Sequence, residues 1–504
     1  MINTINLIVG VIMKSLFSIL LVLVILFSFV ACSSGSTNTK DTTPSTTKPL
    51  DNTDPSIVYE EDDLPNDLDF GGQDIHFLVV DDSDKKSEIC TDELNSDVVN
   101  DSVYNREKYV EERLGVEIIP EYIDDSDFED AMEKQFASDE DQYQIYGYIT
   151  FAFTRFVFMD HLVDLYDLDY IDLDKPWWSS TFNSEAEVME SLYLTTGSLS
   201  LSLTRYMFAM FYNKSLANDN AEKYPELLQL YEIVDSGNWT YDKFYELGSS
   251  IYIDNNGSST PDKEDTYGIG FQRAIGTDVI WSSFDINILS SDGDGWFELD
   301  VPTEKLFAVS EKLYNLINNT PGCYDAGISD GDLNDLSKMF AGDQLLFMNN
   351  KLLAIESATL RNMQSDYGIL PFPKYDSNQK EYYTYAHDSY TSFGIPKTNR
   401  NPDVSAAVLE AMASYSYRET APAYFDTALK GKYMSDPQSR KMLDLVVNGF
   451  TVDTAWIYIE TIGASYPSSF RQMYVERTQN YSSNHVTHAR KVQSALKTYK
   501  MFIN

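Results

Sequence analysis

Between Gly71 and Ile123 the chain runs strand, helix, strand. Ile75-His76-Phe77-Leu78-Val79-Val80 is a short, β-rich apolar run of the kind covered on both faces of a sheet. Val99, Val103, Val110 and Leu114 then recur at helical spacing, and Gly115 supplies a stop. Val116 to Ile123 reads as the next strand. Strand–helix–strand is the unit of an α/β domain. With 504 residues the chain is longer than one core accommodates, so two or more lobes are expected.

The alternation continues. Phe128 to Phe136 reads as helix and Tyr143 to Phe151 as extended. Leu192 to Thr195 and Tyr206 to Tyr212 read as strands. Thr240 suits a helix N-cap, with Trp239 and Phe244 as a hydrophobic staple across it. Leu306, Val309, Leu313, Leu316 and Ile317 mark another helix. Leu345 to Met348 and Tyr367 to Pro371 are strand candidates, and after Arg400 the spacing is mainly helical. Trp177, Trp178 and Trp239 are assigned to structure.

The N-terminus carries an export signal. Lys14 precedes an apolar stretch from Leu16 to Val30, which runs into Ala31-Cys32 and then Ser33-Ser34-Gly35-Ser36. A basic residue, an apolar stretch and a small residue before a cut make a secretory signal. Phe29-Val30-Ala31-Cys32 resembles the bacterial lipobox, in which the cysteine is acylated and becomes the new N-terminus; Phe29 stands where Leu is usual. Residues 1–32 are therefore the expected lipoprotein signal peptide. Residues 33–56, rich in Ser, Thr, Asn, Asp and Pro, are the expected disordered tether. Cys32 is the lipidation site, and the expected location is the extracellular face of the cell membrane.

The formal net charge of −42 argues against nucleic-acid binding. Of three cysteines, Cys32 is assigned to lipid, and Cys90 and Cys323 are expected as free thiols. No metal and no cofactor are assigned. Asp254-Asn255-Asn256-Gly257 with Asp262 to Asp265 is similar to a calcium loop. However, Ser258-Ser259 stand where a second Asp-Gly is needed, so ligand count and turn glycine both fall short.

The order of motifs along the mature chain resembles a family. After the lipobox, tether and strand–helix–strand come Tyr170-Ile171-Asp172-Leu173-Asp174-Lys175-Pro176-Trp177-Trp178, then Phe211-Tyr212-Asn213-Lys214 and Asn238-Trp239-Thr240-Tyr241-Asp242-Lys243. Tyr367 to Lys374, Phe393 to Thr398, Pro422-Ala423-Tyr424 and Leu429-Lys430-Gly431-Lys432-Tyr433 follow. This succession is similar to the extracellular solute-binding lipoproteins of bacterial ABC importers, in the carbohydrate-type family that includes maltose-binding protein. It covers about residues 57 to 504. The resemblance implies an α/β fold of two lobes, the type II periplasmic-binding-protein-like fold, with an interlobe hinge. It implies crossings at about Leu199 to Phe211 and Thr391 to Lys397. The first lobe would comprise 57–205 and 342–392, the second 206–341 and 393–504.

Sugar hydroxyls need planar polar side chains, and their C–H faces stack on aromatic rings, so a sugar site needs both in loops at strand ends. The resemblance places such residues at Asp82 after the first strand, and at Tyr148, Thr150, Phe151 and Arg155 after the third. It adds Trp281, Glu356, His387, Asp388 and Trp456. Each also has a plain alternative in surface acids, core packing or loop contacts. The implied function is a lipid-anchored, monomeric, non-catalytic substrate-binding subunit that captures a carbohydrate, an oligosaccharide by preference. The partners are the permease subunits of the importer and the membrane. A secreted carbohydrate-active enzyme or a glycan-binding surface module that does not transport are the alternatives. The absence of GxSxG and HExxH motifs weighs against the enzyme.

Overall fold

A computed structural model describes residues 59–329, 331–429 and 437–503. Cys32, the signal peptide, the tether and most of Leu429 to Tyr433 lie outside the described residues. All described residues belong to the unit that begins at Ser45.

Strand β1 (Gln73–Val80) pairs in parallel with β2 (Val116–Ile123) and with β3 (Ile145–Ile149). Helices α1 (Ser83–Ile89) and α2 (Val98–Leu114) connect β1 to β2. Gly115 ends α2 at φ 61°, a left-handed position that glycine adopts without strain. Helix α3 (Asp125–Ser138) packs on β1, and α4 (Thr150–Phe153) turns the chain away from β3. The expected extended run to Phe151 therefore stops at Ile149, because Thr150 turns to bond the Tyr390 carbonyl through both its N–H and its hydroxyl.

Helices α5 (Ser180–Ala186) and α6 (Leu201–Arg205) precede β4 (Phe208–Asn213). Thr240 caps α7 (Tyr241–Gly248) by accepting the Lys243 N–H, and the Trp239 ring packs edge-on against Phe244 at 6.1 Å. Beyond it come β5 (Tyr252–Ile253), β6 (Thr266–Phe271), α8 (Ile275–Ser283), β7 (Leu289–Ser291), β8 (Phe297–Leu299) and α9 (Thr303–Asn319). Then follow β9 (Cys323–Asp325), β10 (Leu345–Lys351), β11 (Tyr367–Leu370) and β12 (Thr391–Gly394). The C-terminal part is helical: α10 (Pro402–Tyr415), α11 (Thr454–Ile457), α12 (Tyr466–Val475) and α13 (Tyr481–Ile503) among others. None of the described helices is long and apolar enough to cross a membrane.

The strands form two main sheets. The first has the order β12-β3-β1-β2; the second has the order β11-β4-β10-β6-β5, with β9 beside β6. This corrects the expected lobe composition. Segment 342–392 was expected with the first sheet, yet β10 pairs with β4 and β6, and β11 pairs with β4, all in the second. Conversely β12 pairs with β3, and α10 packs on α2, so the chain from Thr391 through α10 returns to the first sheet. The later helix Pro437–Asn448 packs on β11, and α12 packs on α8, on the second-sheet side as expected. The apolar run Leu345 to Met348 is fully buried and fits only where both faces are covered, between β4 and β6. The second crossing therefore lies between Leu370 and Thr391, ahead of the expected Thr391 to Lys397. The first falls within the expected Leu199 to Phe211.

Trp177, Trp178 and Trp239 are fully buried. The Trp178 indole N–H donates to Glu410 at 2.8 Å, and the Trp239 indole to the Pro371 carbonyl at 3.0 Å. Cys90 and Cys323 are free.

Candidate functional site

The two crossings run side by side. Met207 and Ala386 pair antiparallel, the Phe208 N–H donates to the Tyr385 carbonyl at 2.8 Å, and the His387 N–H donates to the Tyr206 carbonyl at 3.0 Å. Strands end at this junction. The Leu352 N–H, just past β10, donates to the Met207 carbonyl at 2.8 Å, and the Thr150 N–H, just past β3, reaches the Tyr390 carbonyl at 3.0 Å. The helix after β1 arrives through Asp84, which accepts the Tyr206 hydroxyl at 3.2 Å. The junction thus gathers carboxyl ends of parallel strands from both sheets, the place where open α/β sheets bind ligands.

Charged and aromatic groups converge on it. Asp278, one turn into α8, forms a two-pronged ion pair with Arg471 of α12, with Nε to Oδ1 at 2.9 Å. The Arg471 guanidinium also lies 5.8 Å from the Trp456 ring centre. Burial pushes the Asp278 carboxyl up, and Arg471 pulls it back. Burial also pushes Asp388 up to about 6, against the pull of Arg471 and Lys351. Burial holds His387 well below its usual range, reinforced by Lys351, Arg471 and Lys85, so it is neutral. Its Nδ1 lies 2.7 Å from the Ser389 hydroxyl. Tyr206 carries the Lys85 ammonium 5.4 Å and the Lys351 ammonium 4.9 Å from its ring centre.

The Trp456 indole N–H, buried at the junction, has no partner; the Ser282 and Ser283 hydroxyls of α8 and the Asn349 carbonyl oxygen of β10 are also buried and unpaired. The Tyr385 hydroxyl reaches toward the Asp388 amide without completing a hydrogen bond. Buried polar groups are nearly always paired, so the Trp456 and Tyr385 groups, with ring centres 5.6 Å apart, mark a place where water or a ligand fits.

The sequence candidates divide into groups. His387, Asp388, Thr150, Phe151 and Trp456 meet at or beside the junction: the Phe151 N–H donates to the Asp388 carbonyl at 3.4 Å, and α11 packs on α4. Asp82 sits at the mouth, where its carboxylate caps α1 by accepting the Asp84 and Lys85 N–H groups. Glu356 pairs with Arg205 at 3.0 Å, and that guanidinium lies 5.4 Å from the Tyr424 ring centre.

The other candidates are committed elsewhere. Tyr148 is a core residue, with one face stacked flat on Phe128 at 3.9 Å and Phe153 edge-on at 6.0 Å. Arg155 is taken by Glu129 and Glu133 of α3. Trp281 is 3% exposed and ringed by Trp456, Tyr466 and Phe470.

The residues that sequence reasoning missed are Asp278, Tyr385, Arg471, Lys351 and Tyr206. Tyr385 carried a weak signal, two residues before His387-Asp388 in one polar-aromatic run. Arg471 carried none, because its helix reads as ordinary packing. A recess of about 380 Å³ between α12 and α13, lined by Ser465, Ser468, Gln472, Asn484 and His488 among others, shares only Arg471 with the junction.

The Asp254 to Asp265 loop spends its carboxylates on itself. Asp254 accepts the Gly257, Ser258 and Ser259 N–H groups, and Asp265 accepts the Asn255 and Asp262 N–H groups and the Tyr252 hydroxyl. Among the described residues no three His, Cys, Asp or Glu side chains are grouped to hold a metal ion.

No protein-family model matches the chain, and no curated protein sequence does. Solved structures are similar to it. One is the sugar-binding protein MalE from the phytopathogen Xanthomonas citri: TM-score 0.55 and 13% identity over 86% of this chain and 99% of that one. Another is the GacH receptor of Streptomyces glaucescens, solved unliganded and with acarbose: TM-score 0.53 and 11% identity over 84% and 99%. A third is an ABC substrate-binding protein from Listeria monocytogenes in complex with cycloalternan: TM-score 0.52 and 12% identity over 84% and 99%. At these identities the likeness establishes the fold, the two-lobed type II fold of the MalE-like solute-binding proteins.

Proposed function

We propose that this protein is the substrate-binding subunit of an ABC importer and captures a carbohydrate between its two lobes. The first lobe is built on the β12-β3-β1-β2 sheet and the second on the β11-β4-β10-β6-β5 sheet. The observation that carries the reading is the junction of the crossings. It combines a carboxylate (Asp388), a guanidinium (Arg471), a neutral imidazole (His387) and unpaired polar groups at Trp456 and Tyr385. Polyhydroxylated ligands satisfy such a set, because each hydroxyl both donates and accepts. The similar structures support it, since their names describe sugar-binding proteins and complexes with sugars.

In this reading His387, Asp388 and Arg471 bind hydroxyls, and Phe151, half-buried beside them, offers the stacking face. Asp82 and Glu356 line the outer part of the groove. Cys32 is acylated and holds the body at the extracellular face of the membrane. The closed form delivers its sugar to the permease subunits, and no bond is broken.

The test is a thermal-shift panel of gluco-, manno-, xylo-, galacto- and fructo-oligosaccharides, each mixture then analysed for cleavage products. A ligand at about 100 times its dissociation constant adds about 2.7 kcal/mol of stability. The expected result is a shift with intact sugar recovered. Release of shorter sugars refutes the binding-protein reading in favour of a hydrolase. No shift with any sugar refutes carbohydrate capture.

A further inference from the structure

We infer that the groove is closed at one end and that the protein recognises a chain terminus of its glycan, not an internal stretch. The inference rests on the carbohydrate reading above. It comes from segment 449–462, which straps both lobes together beside the junction.

The strap is tied at every side. The Thr451 N–H donates to the Thr384 carbonyl at 3.0 Å, and the Thr384 N–H donates to the Gly449 carbonyl at 2.7 Å, which fixes it to the second crossing. On the first-sheet side the Thr454 N–H donates to the Glu185 carboxylate at 3.2 Å, and the Tyr458 hydroxyl donates to the Ala186 carbonyl at 2.6 Å, both on α5. On the second-sheet side Asp453 accepts the Ile288 N–H at 3.1 Å. Trp456, wholly buried, fills the space between Tyr385 (5.6 Å) and Trp281 (6.3 Å). Behind it Phe158, which follows α4, packs on Tyr458 at 5.4 Å and on Tyr499 of α13 at 4.7 Å. Helix α11 within the strap rests on α4, the turn that carries Phe151.

Sheet order gives the direction. In the first sheet the strands run β12, β3, β1, β2. The strap covers the carboxyl end of β3. The carboxyl ends of β1 and β2 stay open: the Asp82 side chain is 43% exposed and the Lys86 side chain 45%, with Lys86 over the Tyr122 ring. A chain lying along these strand ends therefore meets a wall at Trp456 and leaves past Asp82. Its terminal residue reaches Asp388 and Arg471, and the rest extends outward.

The experiment compares chain lengths. For each linkage class in the oligosaccharide panel, calorimetry measures the association constant per chain for a short oligosaccharide and for a polymer about ten times longer. A chain has one terminus of each kind whatever its length, whereas internal registers multiply with length, so internal recognition gains roughly tenfold per chain. The expected result is an association constant unchanged with length, and its loss, tenfold or more, when one terminus is chemically blocked. A per-chain constant that rises in proportion to length, or binding that survives blocking both termini, overturns the inference and leaves carbohydrate capture standing. Failure of every sugar to bind at any length refutes the carbohydrate reading, and the inference with it.

Discussion

Replacing Phe151 with Ala and Tyr148 with Ala should have opposite consequences, although the two residues are three apart on one strand–turn. Tyr148 is 2% exposed, its ring is stacked on Phe128 at 3.9 Å, and Phe153 meets it edge-on. Truncating such a ring costs about 3–5 kcal/mol of stability, which includes about 0.5–1.5 kcal/mol from the aromatic pair itself. Against a total stability of about 5–15 kcal/mol, that is a large share. Phe151 is half-buried beside Asp388, so its removal deletes less packing. Its larger effect is on affinity: losing one buried stacking face costs roughly 1.5–3 kcal/mol, or about ten- to a hundredfold in dissociation constant. The assay is paired, with urea midpoints for stability and calorimetry with the best sugar of the panel for binding. Tyr148→Ala should lower the midpoint and bind normally once folded. Phe151→Ala should keep the midpoint within about 1 kcal/mol and lose affinity. A Phe151→Ala protein that binds as wild type, or a Tyr148→Ala protein with an unmoved midpoint, refutes the placement of the site.

Three further outcomes follow from the same residues. Burial and the neighbouring Glu185 raise Asp453 to about 7. Its stability contribution is therefore full below about pH 4 and is lost as pH rises toward 7. Urea midpoints of Asp453→Asn across that window should fall less steeply than those of wild type, and an equally steep profile contradicts the assignment. Thr240→Ala removes the cap of α7 and should cost about 1 kcal/mol, read as a midpoint shift; no shift contradicts the capping role. Cys32→Ala should abolish incorporation of labelled fatty acid in the producing cell, and undiminished labelling sinks the lipidation proposal.

The fold was legible where local chemistry and packing agree. The β1–α2–β2 unit shows because β1 is a buried apolar run with strands on both sides and the helix ends at a left-handed Gly115. The cap of α7 shows because Thr240 and the Trp239–Phe244 staple act within one turn of chain. Lobe membership of Leu345 to Met348 did not show, because any deep sheet accepts that apolar run and only its partners β4 and β6 decide.

The candidate site was legible in part for the same reason. His387 and Asp388 show because they close a polar-aromatic run directly before the buried strand β12. Tyr148 and Arg155 share the same cleft-side stretch of chain as Thr150 and Phe151, yet Tyr148 faces Phe128 and Arg155 faces Glu129 and Glu133 on α3. Arg471 lies 193 residues from Asp278 and joins it only in the folded chain.

The most direct test of the central claim is hydrogen exchange of the folded body with and without a saturating sugar identified by the panel. The account predicts simultaneous protection in three segments that meet only at the junction: residues 149–155, 384–390 and 453–472. Protection confined to the recess between α12 and α13, or none in the presence of a confirmed bound sugar, contradicts it.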